Sequence, residues 1–512
     1  MSGGRRISSS RAAVMSMAIL LCFVAAAVAA RPAPAAVRAA ANGTCQSRVV
    51  PFGYKCEEHT VTTSDGYILS LQRIPSGHAG GSSTGKIPVL LQHGLMMDGV
   101  TWLMNSPAES LGYILADNGY DVWIANSRGT VYSRGHTSLS AATDPAYWDW
   151  SWDELASNDL AVVVQYVYAQ SGQQKMHYVG HSLGTLIAFA ALSQQQQLGM
   201  LRSAGLLSPI AYLDEVSSPL ARAAADIFLG EALYWLGVNE FDPTGEKVHA
   251  LVTDICDQPG IDCYNLMSSF TGDNCCLDNS SVNVFLAHEP QASATKNMVH
   301  LAQMIRRGTI AKYDYGNAAD NTKHYGQATP PAYDVSAIPD DFPLFLSYGG
   351  RDSLSDVQDV RRLIQTTLNS HDANKLTVQY LDDYAHADFV FAGNAKERVY
   401  APLMAFFKLQ EKSHVVSSPV IILFAFEECL IRKADGVMQQ EEQSLSEPSS
   451  SLASREDRVK KSSRLQCKSR TRILGEPLVR RPAVRKAAVA TKSTREAVAP
   501  PWRKPPEFCG PR

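Results

Sequence analysis

Beyond its first thirty residues the chain has no apolar run long enough to cross a bilayer. The next candidate, residues 419–426, falls far short of the roughly 20 residues a spanning helix needs. Cysteines spaced as in a zinc site are also missing. Cys256, Cys263, Cys275 and Cys276 contain no pair with two to four residues between, and the adjacent Cys275 and Cys276 would make awkward tetrahedral ligands. Net charge is low, −3 from 47 Lys+Arg and 50 Asp+Glu, but it is unevenly spread. Residues 411–512 hold 20 basic and 12 acidic residues, and residues 1–40 hold five arginines and no acid. The stretch between, with 22 basic against 38 acidic, therefore stands at −16 and is not built for nucleic acid. What is abundant is apolar: 45% hydrophobic against 19% charged residues, the balance of a globular chain with a sizeable core. At 512 residues it could hold one large domain or two to three average ones.

The N-terminus reads as an address. Arg5, Arg6 and Arg11 precede an apolar stretch, residues 12–30, that ends in small residues at Val28-Ala29-Ala30, the pattern of a signal peptide over residues 1–30. An uncleaved anchor is the rival, and the Pro/Ala-rich linker that follows, residues 31–44, favours cleavage. Entry to the secretory pathway implies a secreted protein, or one delivered to a vacuole or lysosome. It also makes disulfides the expected state of Cys45, Cys56, Cys256, Cys263, Cys275 and Cys276, with fifteen full pairings left open. Asn42 and Asn279 become glycosylation acceptors.

Residues 56–63 and 67–74 alternate apolar and polar about Ser64-Asp65-Gly66, which predicts a β-hairpin. Strand candidates then follow at 87–91, 121–125, 176–179, 204–207, 343–348 and 376–380, with helical stretches between, such as 152–170. An antiparallel start followed by βα alternation predicts an α/β fold with a mainly parallel sheet covered on both faces. The alternation breaks once, at residues 214–340, which show no good strand and carry amphipathic segments such as 220–236. An insertion of this size at a strand's C-terminal edge reads as a helical cap or lid over the site. Phe228, Leu229, Leu233, Tyr234, Trp235 and Leu236 could face an apolar ligand there, although for each singly a place in the cap's own core is the simpler expectation. The domain runs over residues 45–411. The remainder, 412–512, has no period and reads as a disordered basic tail or an artefact of gene prediction.

The chemistry centres on Gly180-His181-Ser182-Leu183-Gly184, with an apolar strand before it and an Ala/Leu-rich helix after it. Alone the five-residue pattern is short enough to arise by chance, and the flanking elements lend it weight. A serine hydroxyl needs a base to take its proton and an acid to orient that base, and in this sheet type both follow the serine in chain order. Asp352 ends an apolar strand at Tyr348-Gly349-Gly350-Arg351-Asp352, where two glycines would let the chain turn sharply. The runner-up acid, Asp356, suits a helix cap better, and Asp382 and Asp383 share the base's own loop. His386 lies after the last strand. Two N–H groups should bind the oxyanion: that of Leu183, and that of Leu95 in the loop after strand 87–91, with Gly94 turning it inward. His93 and His181 fit a hydrogen-bonded scaffold.

Together with Asn126-Ser127-Arg128-Gly129-Thr130, Tyr132-Ser133-Arg134-Gly135-His136 and Tyr384-Ala385-His386-Ala387-Asp388-Phe389, these motifs resemble the acid lipases, the gastric and lysosomal enzymes and their plant relatives. The likeness spans residues 45–410. It implies the α/β-hydrolase fold and a triad of Ser182, Asp352 and His386. It also implies a lid over an acyl-binding cleft, and hydrolysis of triacylglycerols or sterol esters at a lipid–water interface without metal or cofactor. Gln often follows the serine in animal members, where this chain has Leu183; the donor is a backbone amide, so the chemistry should survive. The alternatives on the same triad are an acyltransferase or a general carboxylesterase, and beyond these a hydrolase-fold receptor without turnover.

Overall fold

A computed structural model describes residues 43–412 apart from 83, 244–267, 269, 278–283 and 286–287. The expected signal peptide, the tail, both glycosylation acceptors and Cys256 and Cys263 lie outside the described residues. Strands β1 (Glu57–Thr62) and β2 (Tyr67–Ile74) pair antiparallel about the expected turn, with Gly66 at φ 98°. They lead into β3 (Pro88–Gln92), β4 (Asp121–Ala125), the short β5 (Gly135–His136), β6 (Met176–His181) and β7 (Leu201–Leu207). Two-residue strands β8 (Glu240–Phe241) and β9 (Ser293–Ala294) pair only with each other, and β10 (Leu344–Gly349) and β11 (Leu376–Leu381) complete the sheet.

The main sheet runs in the order β1-β2-β4-β3-β6-β7-β10-β11, with β5 against β2. From β4 to β11 every neighbouring pair is parallel, and β1, β2 and β5 are antiparallel to their partners. Alternate residues of the central strands feed opposite faces. Leu90, Trp123 and Tyr178 pack with the helix Leu183–Ser193, whereas Val89, Leu91, Val122, Ile124 and Val179 pack with Leu403, Phe406 and Phe407 of the helix Ala401–Lys412. Such near-continuous apolar runs are what a sheet buried on both faces requires. After β3 the chain passes to β4 on one side, and later returns to β6 on the other. The ends of β3 and β6 thus flank the switch point where open α/β sheets leave a crevice.

The region 214–340 departs from expectation in two ways. It holds the small β8–β9 ribbon, and residues 220–236 form two helices, Pro219–Asp226 and Leu229–Trp235. The break falls at Phe228, which adopts a left-handed conformation at φ 54°. Phe228 is 52% exposed, Trp235 82% and Leu236 67%, so these three are not core residues of the cap. Leu233 is buried.

One buried ion cluster pins the hairpin to the helical layer. Arg128, fully enclosed, donates through Nη1 to Asp65 at 2.6 Å and through Nε to Asp159 at 2.8 Å, with its guanidinium 3.8 Å from the Tyr67 ring centre. Burial pushes the Asp65 carboxyl up, but Arg128 outweighs it and holds it down to about 2. The Asp65 contribution to stability is present above the ordinary carboxylate range and lost only as pH falls through that low value. Arg128→Met leaves Asp159 buried and unpaired, and urea unfolding should show a loss of about 3–5 kcal/mol. Asp159→Asn in the same chain should recover part of it.

Candidate active site

Ser182 stands where β6 gives way to the helix Leu183–Ser193, with φ 55° and ψ −118°. This is a strained conformation for any residue but glycine and persists only where surroundings impose it. The imposition is visible. The Ser182 N–H donates to Leu207 O on β7 at 3.1 Å, and its carbonyl accepts the Thr185 N–H at 2.8 Å and the Thr185 hydroxyl at 2.6 Å. A methyl at Gly180 would come 2.7 Å from Gly184 O, and one at Gly184 would come 2.6 Å from Gln92 O. Both flanking residues are therefore glycine because backbone passes where a side chain would begin.

The loop after β3 closes on the serine from the other side. A Cβ on Gly94 would lie 3.1 Å from Ser182 Cβ, so Gly94 permits close approach, and the left-handed residue that turns the loop is Met96 at φ 53°. Among the described residues the N–H groups of Leu95 and Leu183 donate to no other protein group. His93 Nδ1 donates to Gly94 O at 2.8 Å while Nε2 accepts the Ser127 N–H at 3.0 Å. His181 Nε2 donates to His386 O at 3.0 Å. Burial pushes the His93 imidazole down to about 4 and, with the nearby His386, His181 to about 3, so both remain neutral scaffold groups in mildly acid solution.

His386 and Asp352 meet directly. His386 Nδ1 lies 2.9 Å from each Asp352 carboxylate oxygen, both side chains being buried. Asp352 Oδ1 also accepts the N–H groups of Leu354 at 2.9 Å and Ser355 at 2.7 Å, which fix the orientation of the carboxylate. Two of its sequence rivals are engaged elsewhere: Asp356 caps the helix Val357–Arg362 through Gln358 N at 2.8 Å, and Asp383 pairs with Arg398. The glycines before Asp352 serve close approach here too, since a Cβ on Gly349 would lie 2.1 Å from Tyr384 O in the His386 loop.

Ser182, Leu183, Leu95 and His386 border one cavity of about 590 Å³, within the size range of small-molecule sites. Its other walls are almost wholly apolar and come largely from the inserted region, including Leu229, Leu233, Phe241, Phe270, Leu301 and Ile305.

Known proteins match on the same ground. Residues 45–106 fit the family profile described as a partial alpha/beta-hydrolase lipase region, and residues 87–221 fit the alpha/beta hydrolase fold. Triacylglycerol lipase 2 of Arabidopsis thaliana is 50% identical over 376 residues, 73% of this chain and 89% of the relative. The chain belongs to the α/β-hydrolase lipase family. Triacylglycerol lipase 1 of Arabidopsis thaliana is 44% identical, covering 73% of this chain and 92% of that one. Rat gastric triacylglycerol lipase is 36% identical, covering 71% and 91%. This lipase-family chain is a carboxylic ester hydrolase.

The inserted region of this lipase does more than roof the cavity. Its segment 271–276 threads between the Asp352 and His386 loops: Thr271 O accepts the N–H groups of both Ser353 and His386 at 3.2 Å, and Asn274 Oδ1 accepts the Ala387 N–H at 3.1 Å. Asp388, fully buried, completes the clamp by accepting the N–H groups of Ala385 at 2.8 Å, Cys275 at 3.1 Å and Cys276 at 3.2 Å. Sequence reading passed over Asn274 and Asp388; the second could have been noticed as a carboxylate two residues from the histidine. Cys45 pairs with Cys56 and Cys275 with its neighbour Cys276. Cys275, Cys276 and Asp388 bring possible ligand atoms within 4.8 Å of one another, but the sulfurs are joined and the carboxylate oxygens already hold three amides.

Asp388→Ala should strand those three amides and lower stability by about 2–4 kcal/mol in urea unfolding. Asp383→Ala, which removes an exposed ion pair in the same loop, should change it by less than about 1 kcal/mol.

Proposed function

We propose that the chain is a secreted serine lipase acting on lipid esters, with Ser182 as nucleophile, His386 as general base and then acid, and Asp352 as the group that orients it. The observation carrying this reading is an apolar cavity bordered by a strained serine and by a histidine whose far nitrogen is tied to a buried carboxylate. With Nδ1–H held by Asp352, Nε2 is the nitrogen free to take the serine proton. Ser182 Oγ attacks the acyl carbonyl, and the charge that gathers on the carbonyl oxygen meets the amides of Leu95 and Leu183. His386 returns the proton to the leaving alcohol, and water then repeats the sequence on the acyl-enzyme. The apolar walls suit an acyl chain, and relatives named as triacylglycerol lipases support triacylglycerol as substrate, with sterol ester the alternative of the same acyl chemistry.

Two further features support the setting. Ile227, Phe228, Trp235 and Leu236 are 49–82% exposed on the same helical segments that wall the cavity, an arrangement suited to a lipid–water interface. The Cys45–Cys56 disulfide suits an oxidising compartment, in keeping with the N-terminal signal pattern and with a secreted, vacuolar or lysosomal destination.

Ser182→Ala should lower kcat on esters by about 10⁴–10⁶-fold while leaving the urea unfolding midpoint within error of wild type. Undiminished turnover would overturn the nucleophile assignment. Wild type should hydrolyse an emulsified long-chain triacylglycerol faster than a dissolved short-chain ester, and the reverse order would favour a general carboxylesterase.

A further inference from the structure

Behind the loop that carries Leu95, two carboxyl groups meet away from water. Asp98 is 0% exposed and Glu289 1%, and they lie 191 residues apart in the chain. The Asp98 N–H donates to Glu289 Oε1 at 3.1 Å, and Asp98 Oδ1 accepts the Val100 N–H at 2.7 Å. Asp98 Oδ2 and Glu289 Oε2 are buried without a hydrogen-bond partner, and the Asp98 charge acts directly on the Glu289 carboxyl. Two carboxylates in a dry site cannot both stay ionised, so a proton belongs between them.

This contact joins the inserted region to the oxyanion loop. Beside it the Gln291 N–H donates to Met96 O at 2.8 Å, and Gln291 Oε1 accepts the Val131 N–H at 2.9 Å. Residues 289–291 thus grip both Met96 and Asp98, immediately after Leu95. The charges facing the pair are few. Arg48 acts on Asp98, as does the Tyr132 phenol, which burial keeps neutral. His288 is pushed down to about 4 by burial and by Arg48, and stays neutral above that. His386 borders the cavity that Glu289 also lines. One cation can balance one carboxylate of the pair and leaves a second charge unmatched.

We propose that Asp98 and Glu289 are positioning residues that hold the oxyanion loop through a shared proton, so that hydrolysis requires the pair to keep that proton and fails reversibly when alkaline solution removes it. The proposal rests on the assignment of Leu95 as an oxyanion donor. Burial pushes Asp98 up to about 7, and burial together with the Asp98 charge pushes Glu289 well above the ordinary carboxylate range. Both values are raised on folding. The stabilisation is therefore complete below the unfolded carboxylate range and is lost as pH rises through the folded values, which apply to the pair as a unit.

The test is kcat/KM on a dissolved short-chain ester between about pH 5 and pH 9, with active sites counted by a serine-directed phosphonate. Wild type should lose about tenfold per pH unit beyond the pair's last ionisation, and regain activity on return to acid. Glu289→Gln leaves Asp98 as the pair's one ionisable carboxyl, so the contact never carries more than the single charge of the shared-proton state. The variant should raise the ratio of alkaline to acid kcat/KM by at least about fivefold. An alkaline limb in Glu289→Gln that superimposes on that of wild type overturns the proposal. Should that variant not fold, Asp98→Asn serves in its place, and wild type alone still decides: activity or a Tm that stays flat to about pH 9 overturns it. A chain in which the phosphonate never labels Ser182 would defeat the hydrolase reading itself, and the proposal with it, a result distinct from a labelled enzyme with an unmoved limb.

Discussion

The rest of the site depends on the strained backbone at Ser182. Its φ of 55° places a polar residue in a region that costs about 1–3 kcal/mol, and the side chain is thrown clear of the sheet as a result. Three sets of contacts hold it there. Leu207 O anchors its amide, Gln92 O and His93 O leave no room for a side chain at Gly184, and Gly94 brings the loop after β3 against its Cβ. All three lie on strands that pair with β6 or on the loop that leaves one of them, so the register of the parallel sheet sets the position of a single hydroxyl. A slip of one residue would exchange the side chains of the two faces, each of which is packed against a different helix.

The inserted region is a structural partner of the site as well as its roof. Thr271, Asn274 and the amides of Cys275 and Cys276 tie the Asp352 and His386 loops together, while Glu289 and Gln291 grip the loop that bears Leu95. None of these bonds is local: Cys275 and Asp388 are 113 positions apart and Asp98 and Glu289 191, so a disturbance of the inserted region would be felt at the serine's partners as readily as at the cavity walls. The apolar lining and the polar clamps thus come from the same stretch of chain, with Leu229, Leu233 and Phe241 facing the cavity.

What could be read from sequence was what has a period or a fixed local pattern. The hairpin about Asp65-Gly66, the parallel strands and the strand–turn–helix at Ser182 all declare themselves by alternation, by apolar runs or by paired glycines. Asp352 and His386 stand directly after apolar strands, so their loops could be located, and Asp356, read from sequence as the better helix cap, does accept the Gln358 N–H. Asp98, Glu289, Asn274 and Asp388 escaped because a buried polar residue has no periodic signature; only its distant partner explains it. Phe228, Trp235 and Leu236 misled for the opposite reason. Their apolar character suggests a core, yet the left-handed break at Phe228 turns their surface outward.

Three histidines lie near the serine, and their partners separate their roles. His93 and His181 bind backbone groups, and burial holds them neutral, as scaffold requires. His386 faces a carboxylate, the one arrangement of the three that stabilises an imidazolium when a proton arrives. His181 then acts on His386 from behind, since its N–H to the His386 carbonyl fixes the backbone of the residue beside it. A charged His181 would place a second cation against that ring, and its deep burial prevents this. The carboxyls differ in the same way: Asp352 meets two amides and an imidazole, whereas the buried Asp98 and Glu289 face each other and must share a proton.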